Sequence, residues 1–294
     1  MVSTDREAFD REGYVLLPGL LAPDDVAPVL RVILEAAGRL IDDLCEQGRL
    51  PSRFDSEPMV ARWQQAVAAL GGEHERRSWD ADVVTPELHA LMAHPRVLDV
   101  VESVIGGEIE ATGMIAVRPK IPNDKRTTVL WHQDSNYFGE QTAAQRIISV
   151  WVPLVPADAD NGCMQVIPRS HRHGYHPAEI DPDHKALRPL DDPTRLGEPV
   201  TLPMQVGDVL FFSNLTYHRS LMNASEHTRW SIDLRYHEAG MQHPRKPDFL
   251  PGFIARSRTD PAAEEGWHAW RDQVARSPYF NRMRAMKRAA PLAV

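Results

Sequence analysis

Between residues 109 and 236 the chain is cut into short apolar runs, and nothing else in it restricts the fold as tightly. The runs are 114–117, 127–131, 147–155, 163–167, 200–204, 209–212 and 230–236, with Pro, Gly, Asn and Asp between them. Each has the length of a strand rather than of a helix, and most stop at a residue that breaks regular structure. Seven or eight short strands with turn signals between them are expected to build an antiparallel sandwich or barrel over about 109–240.

The first 108 residues have the other periodicity. Phe9 sits on a short helix that Gly13 ends, and residues 14–17 read as a strand. After Pro23, Val26, Val29, Leu30, Ile33, Leu34, Ala37, Leu40, Ile41 and Leu44 fall on one helical face. Further helices are expected after Thr85-Pro86 and after Pro95, the last stopping at Gly106-Gly107. In the tail, Trp267, Trp270 and Val274 have helical spacing over 264–283. The Pro- and Asp-rich stretch 175–198 has little periodicity and reads as a long loop, a length at which loops often serve as lids. The expected fold is therefore mainly β with flanking helices, in one domain of residues 1–294. A helical buttress covers about 1–108, a β core about 109–240 and a helical tail about 260–294.

Composition excludes some partners. A net charge of −8 and a pI near 5.9 are poor for binding nucleic acid, which relies on Lys and Arg at phosphates. No apolar run reaches 18 residues, so no membrane span is expected. Two cysteines, Cys45 and Cys163, make no disulfide framework, and residues 1–10 have no apolar signal segment; a cytoplasmic protein is expected.

The chemistry starts at Trp131-His132-Gln133-Asp134. In extended chain, His132 and Asp134 point to the same face, so an imidazole and a carboxylate can reach one cation. His218, which follows the turn and buried run 206–212, supplies a second imidazole. Two His and one carboxylate hold non-haem Fe(II) and leave positions open, although Zn or Mn fits the same donors. Eleven residues after His218, Arg229 and Ser231 share one face of a strand. A guanidinium fork beside a hydroxyl suits the remote carboxylate of a dicarboxylic acid.

These pieces together resemble the phytanoyl-CoA dioxygenase family of Fe(II)- and 2-oxoglutarate-dependent oxygenases. The matching stretches are Phe9-Asp10-Arg11-Glu12-Gly13-Tyr14-Val15, Trp131-His132-Gln133-Asp134, the run from Asn161-Gly162-Cys163 to Arg169-Ser170-His171, the segment from Gly207-Asp208-Val209 to Phe212 with His218, and Arg229-x-Ser231. They come in family order over roughly residues 5–240. The resemblance implies a double-stranded β-helix, the jelly-roll barrel of cupin-like enzymes, buttressed by the N-terminal helices. It implies that His132, Asp134 and His218 bind Fe(II), and that Arg229, helped by Ser231, holds the C5 carboxylate of 2-oxoglutarate. Lys120 and Gln133 are further expected to help hold this cosubstrate. Asn136, Tyr137, Phe138 and Trp151 are expected to shape the substrate pocket. His171, in the family's Ser-His pair, is expected to be a structural hydrogen-bonder.

The implied reaction uses O2 to oxidise an unactivated C–H of a small molecule, releasing succinate and CO2. Related halogenases lack the carboxylate that Asp134 provides, which argues for oxygenation. No basic cluster suits the 3′-phosphate of CoA, so the expected substrate is a free specialised metabolite. An acyl-CoA hydroxylase, and a cupin-like metal-binding protein or isomerase that does not use 2-oxoglutarate, are the other readings.

Overall fold

The computed structural model describes residues 2–72, 79–184, 186–242 and 248–289, with side chains from residue 6 and up to 285. Its centre is the ten-residue strand β12 (Arg229–Glu238). Along it, Trp230, Ile232, Leu234 and Tyr236 alternate with Arg229, Ser231, Asp233 and Arg235, the period-2 pattern of a strand with two different faces. The apolar set packs into the main core with the N-terminal helices. The polar set points the other way, into the barrel.

Both sides of β12 are paired antiparallel. On one side lies β5 (Ile148–Pro153), with Arg235 opposite Ser149 and Asp233 opposite Trp151. On the other lie β3 (Ala116–Lys120) and β2 (Glu108–Gly113), with Arg229 opposite Lys120. β10 (Val209–Ser213) and β1 (Tyr14–Leu17) extend the sheet beyond β5, and β13 (Leu250–Ser257) extends it beyond β2, seven strands in all. A four-stranded sheet faces it, in the order β4 (Val129–His132), β11 (His218–Ser220), β6 (Met164–Val166) and β9 (Val200–Leu202). From β3 onward the chain passes repeatedly between the two sheets, which gives the expected jelly-roll barrel.

The buttress is α1 (Val2–Glu12), α2 (Pro23–Glu46), α3 (Met59–Ala69), α4 (Pro86–Met92) and α5 (Pro95–Ile105). Thr85 caps α4 by accepting from Leu88 N, as its position before Pro86 suggests. The helices cover the outer face of the seven-stranded sheet. Two aromatic tips of β12 fasten to them: Trp230 Nε1 donates to Val60 O at 3.2 Å and Tyr236 Oη to Met92 O at 2.9 Å. Among the described residues no helix is long and apolar enough to cross a membrane.

Three local expectations need correction. The stretch 175–198 is not all loop: it holds the hairpin β7 (Ala178–Asp181) and β8 (Ala186–Pro189). The tail is two helices, α6 (Trp267–Arg276) and α7 (Pro278–Ala289), because Pro278 cannot continue the first. β13 had no counterpart among the expected strands.

Candidate metal and cosubstrate site

The two histidines meet because their strands are neighbours. β4 and β11 pair antiparallel with His132 directly opposite His218, which puts both side chains on the barrel's inner face. Each imidazole is aimed by its own backbone. His132 Nδ1 lies 2.8 Å from Leu130 O and His218 Nδ1 lies 2.9 Å from Thr216 O. A carbonyl can only accept, so Nδ1 carries the proton in both rings and each Nε2 keeps a free lone pair. Those lone pairs converge on Asp134: Oδ1 lies 3.6 Å from His132 Nε2 and 3.8 Å from His218 Nε2.

Among the described residues these three form the one group of side chains whose ligand atoms, all within 4.8 Å of one another, could hold a metal ion. Two neutral imidazoles and one carboxylate are the donor set that non-haem Fe(II) takes, so the residues fit the ion that the sequence implied. Protonation states fit as well. Burial, with the neighbouring His132, holds the His218 pKa down at about 3, so its ring is neutral. Burial alone would raise the Asp134 pKa, but the charge of Arg235 and the two imidazoles hold it well below the usual range, so it is ionised.

Asp134 also has partners that the sequence reading missed. Its Oδ2 accepts from Ser149 Oγ and, at 3.1 Å, from Arg235 Nε. Arg235 Nη1 donates to Met114 O at 3.0 Å, and its Nη2 lies 3.6 Å from Asp233 Oδ2, which also takes Arg118 Nε at 3.0 Å. The signal was present: the alternation that puts Arg229 and Ser231 on one face continues to Asp233 and Arg235.

The second cluster lies further along β12. Arg229 is 2% exposed. Its Nη1 donates to Ser231 Oγ and its Nη2 to Gly162 O at 2.8 Å, while Nε has no partner. The guanidinium lies 5.2 Å above the Trp151 ring. Burial brings its pKa to about 10, still charged near neutrality. Opposite stands Lys120, also 2% exposed, with Nζ donating to Thr127 O at 3.0 Å. Burial, then the charges of Arg229 and Arg118, bring the Lys120 pKa down to about 6. A guanidinium, an amine that an incoming anion would recharge and a hydroxyl, with one N–H unused, make a group suited to a carboxylate. Gly162 makes room for the Lys120 stem: its φ is +89°, and a Cβ there would lie 2.4 Å from Lys120 Cδ.

The remaining expected residues divide. Tyr137 is half-buried and meets the His132 ring edge-on at 5.3 Å, beside the metal cluster. The Trp151 ring lies under the Arg229 guanidinium, at the second cluster rather than beside the metal cluster. Phe138 packs with Met114 and Ile147 under Arg235, whose guanidinium lies 5.4 Å above its ring; it supports Arg235 rather than walling a pocket. Gln133 points away from the metal and its amide is committed. It donates to Gly174 O at 2.7 Å and Leu215 O at 2.8 Å, and accepts from His176 N at 2.8 Å. Asn136 donates to His176 O at 2.8 Å. These two amides clamp the segment that leads into the β7–β8 hairpin. His171 lies 3.3 Å from Asp10 O through Nε2, the structural role expected of it.

Residues 9–231 match the family model described as phytanoyl-CoA dioxygenase. The chain is 24% identical over 245 residues to an ectoine dioxygenase of Bordetella bronchiseptica, covering 78% of this chain and 73% of that protein. It is 26% identical over 253 residues to a 1-deoxypentalenic acid 11-beta-hydroxylase of Streptomyces arenae, covering 80% and 82%. Among solved structures it resembles the epimerase SnoN in complex with Fe3+, alpha-ketoglutarate and nogalamycin RO, with a TM-score of 0.57 and 21% identity over 90% of this chain and 94% of that one.

Proposed function

The chain belongs to the phytanoyl-CoA dioxygenase family, and from that premise we propose that this non-haem Fe(II)- and 2-oxoglutarate-dependent dioxygenase oxidises an unactivated C–H of a free, specialised small molecule. The observation that carries the reading is one barrel interior lined by both halves of the machinery, one on each sheet. His132, Asp134 and His218 converge at one point, and the buried Arg229–Ser231–Lys120 group waits for a carboxylate. When bound, Fe(II) and 2-oxoglutarate supply an oxidant strong enough for such a bond, with O2 consumed and succinate and CO2 released.

The chain's own residues do the rest. Leu130 O and Thr216 O fix the two imidazole tautomers, so both Nε2 lone pairs are ready without reorganisation. Arg229, Ser231 and Lys120 orient the cosubstrate by its far carboxylate. Trp151, Leu210 and Phe212 line the barrel between the sheets and keep that end dry. Tyr137 stands where a substrate would approach His132. The same reading takes the chain as one catalytic domain, with helices about 1–108 as buttress and about 109–240 as barrel.

Similar proteins are named for ectoine and for 1-deoxypentalenic acid, and others for phytanoyl-CoA; the first two support the free-metabolite reading. A metal-binding protein or isomerase without 2-oxoglutarate gives Arg229 nothing to do, since a buried guanidinium is costly without an anion. The test is succinate release with Fe(II), ascorbate and 2-oxoglutarate across a panel of candidate metabolites. Stimulation by one of them identifies the substrate. No uncoupled turnover, together with no 2-oxoglutarate binding by calorimetry, removes the reading.

A further inference from the structure

Asp134 has two oxygens in different surroundings. Oδ1 faces the two imidazoles and takes only a long 3.4 Å contact from Arg235 Nη2. Oδ2 is turned toward the seven-stranded sheet, where Arg235 Nε and Ser149 Oγ hold it. These two residues are direct cross-strand partners on β12 and β5, so a single point on that sheet reaches across the barrel to a carboxylate on the other. The grip is braced. Arg235 is fixed by Met114 O, by Asp233 and by the Phe138 ring beneath it, and Arg118 holds Asp233 from the far side. Charge therefore alternates along Asp134, Arg235, Asp233 and Arg118.

We propose that Arg235 and Ser149 are positioning residues that withhold Asp134 Oδ2, so that the carboxylate offers a metal one oxygen only. The inference rests on the functional reading above. Three ligand atoms would leave open positions on a bound Fe(II), to be shared by the keto acid and O2. A carboxylate free to turn both oxygens inward would take a fourth position from the cosubstrate. The grip therefore protects cosubstrate binding more than metal binding. For the metal itself, losing Arg235 has two opposed effects: the carboxylate is aimed less well, and a nearby cation no longer repels the ion.

The test is calorimetry on Mn(II), and on 2-oxoglutarate added to Mn(II)-loaded protein, without turnover. Arg235→Gln and Ser149→Ala are compared with wild type, and Arg235→Lys keeps the charge but not the fork. The expected result for Arg235→Gln is an Mn(II) Kd within about threefold of wild type and a 2-oxoglutarate Kd raised about tenfold or more, the weight that outer partners of metal ligands usually carry. Ser149→Ala, a milder change should Arg235→Gln fold poorly, shifts the 2-oxoglutarate Kd the same way by less, and Arg235→Lys falls between. Loss of Mn(II) affinity with unchanged 2-oxoglutarate affinity at saturating metal overturns the proposal, because a merely structural role gives that pattern. Wild-type protein that binds Mn(II) but no 2-oxoglutarate is a different failure: it sinks the functional reading and this inference with it.

Discussion

Replacing Lys120 with Met should make the protein more stable and a worse enzyme. The ammonium end is buried, its one hydrogen bond is to Thr127 O, and its pKa falls from 10.5 to about 6. In the unfolded chain the amine keeps its proton up to its ordinary pKa. Between pH about 6 and 10.5 the unfolded state thus binds more protons, so this group costs stability at low pH and the cost fades as pH rises through that window. At pH ~7.5 the remaining gap of about three pH units corresponds to about 4 kcal/mol of stability withheld. Met fills similar volume, has no charge to lose and gives up one hydrogen bond worth about 1 kcal/mol. The net gain of about 3 kcal/mol should raise Tm by roughly 5–10 °C. Cosubstrate binding should move the other way. A carboxylate placed at Arg229 restores the charge of Lys120, so 2-oxoglutarate binding takes up a proton and weakens as pH rises above about 6, by at most about tenfold per unit. In Lys120→Met that pH slope should vanish and KM for 2-oxoglutarate should rise. Melting curves at three pH values, with calorimetry in two buffers of different ionisation heat to count the proton, measure both halves. A variant that melts below wild type near neutrality and keeps the pH slope refutes the argument.

Other changes test the site piece by piece. Arg229→Ala should raise KM for 2-oxoglutarate by about 10²–10³-fold, the worth of two charge-assisted hydrogen bonds, and an unchanged KM removes that role. His132→Ala or His218→Ala should abolish iron retention, measured by metal analysis of anaerobically purified protein, while circular dichroism stays native. Gly162→Ala puts a methyl against Lys120 Cδ in a left-handed backbone; it should raise the same KM and lower Tm, and wild-type values for both would show that the close approach does not matter. Gln133→Leu should speed amide hydrogen exchange at 174–176 by about tenfold, one lost clamp of about 1–2 kcal/mol, and leave metal retention intact.

Much of this was legible in the sequence because barrel strands announce themselves by length and turn residues, and because the ligands' strands are neighbours. What stayed hidden depends on partners far along the chain. Gln133 answers to groups 41 and 82 residues away, so its spacing from His132 said only which way it points. Lys120 sits in Arg118-Pro119-Lys120, which has the texture of an exposed edge; the sequence gives the face but not whether that face meets water. β13 was missed because Pro251 and Gly252 look like breakers. It is an edge strand whose register on β2 shifts twice, where such residues are tolerated.

Arg235 was the avoidable omission, and the reason it matters is physical. A strand with alternating polar and apolar residues is usually read as one wet face and one dry face. On β12 both faces are dry, so each of Arg229, Ser231, Asp233 and Arg235 must be met by something inside the barrel. Arg235 is met by Asp134, and Asp233 by Arg118 and Arg235. Arg229 has Ser231 and Gly162 O but no carboxylate within ion-pair reach among the described residues, and burial first, then its charge, holds the Lys120 pKa down at about 6. The other face supplies the means to keep such an arrangement folded: Trp230, Ile232, Leu234 and Tyr236 are fully buried against the helices, at about 1.5–3 kcal/mol each for side chains of this size. A strand stabilised from behind can hold uncompensated positive charge in front, and under the proposed function dianionic 2-oxoglutarate is what meets it.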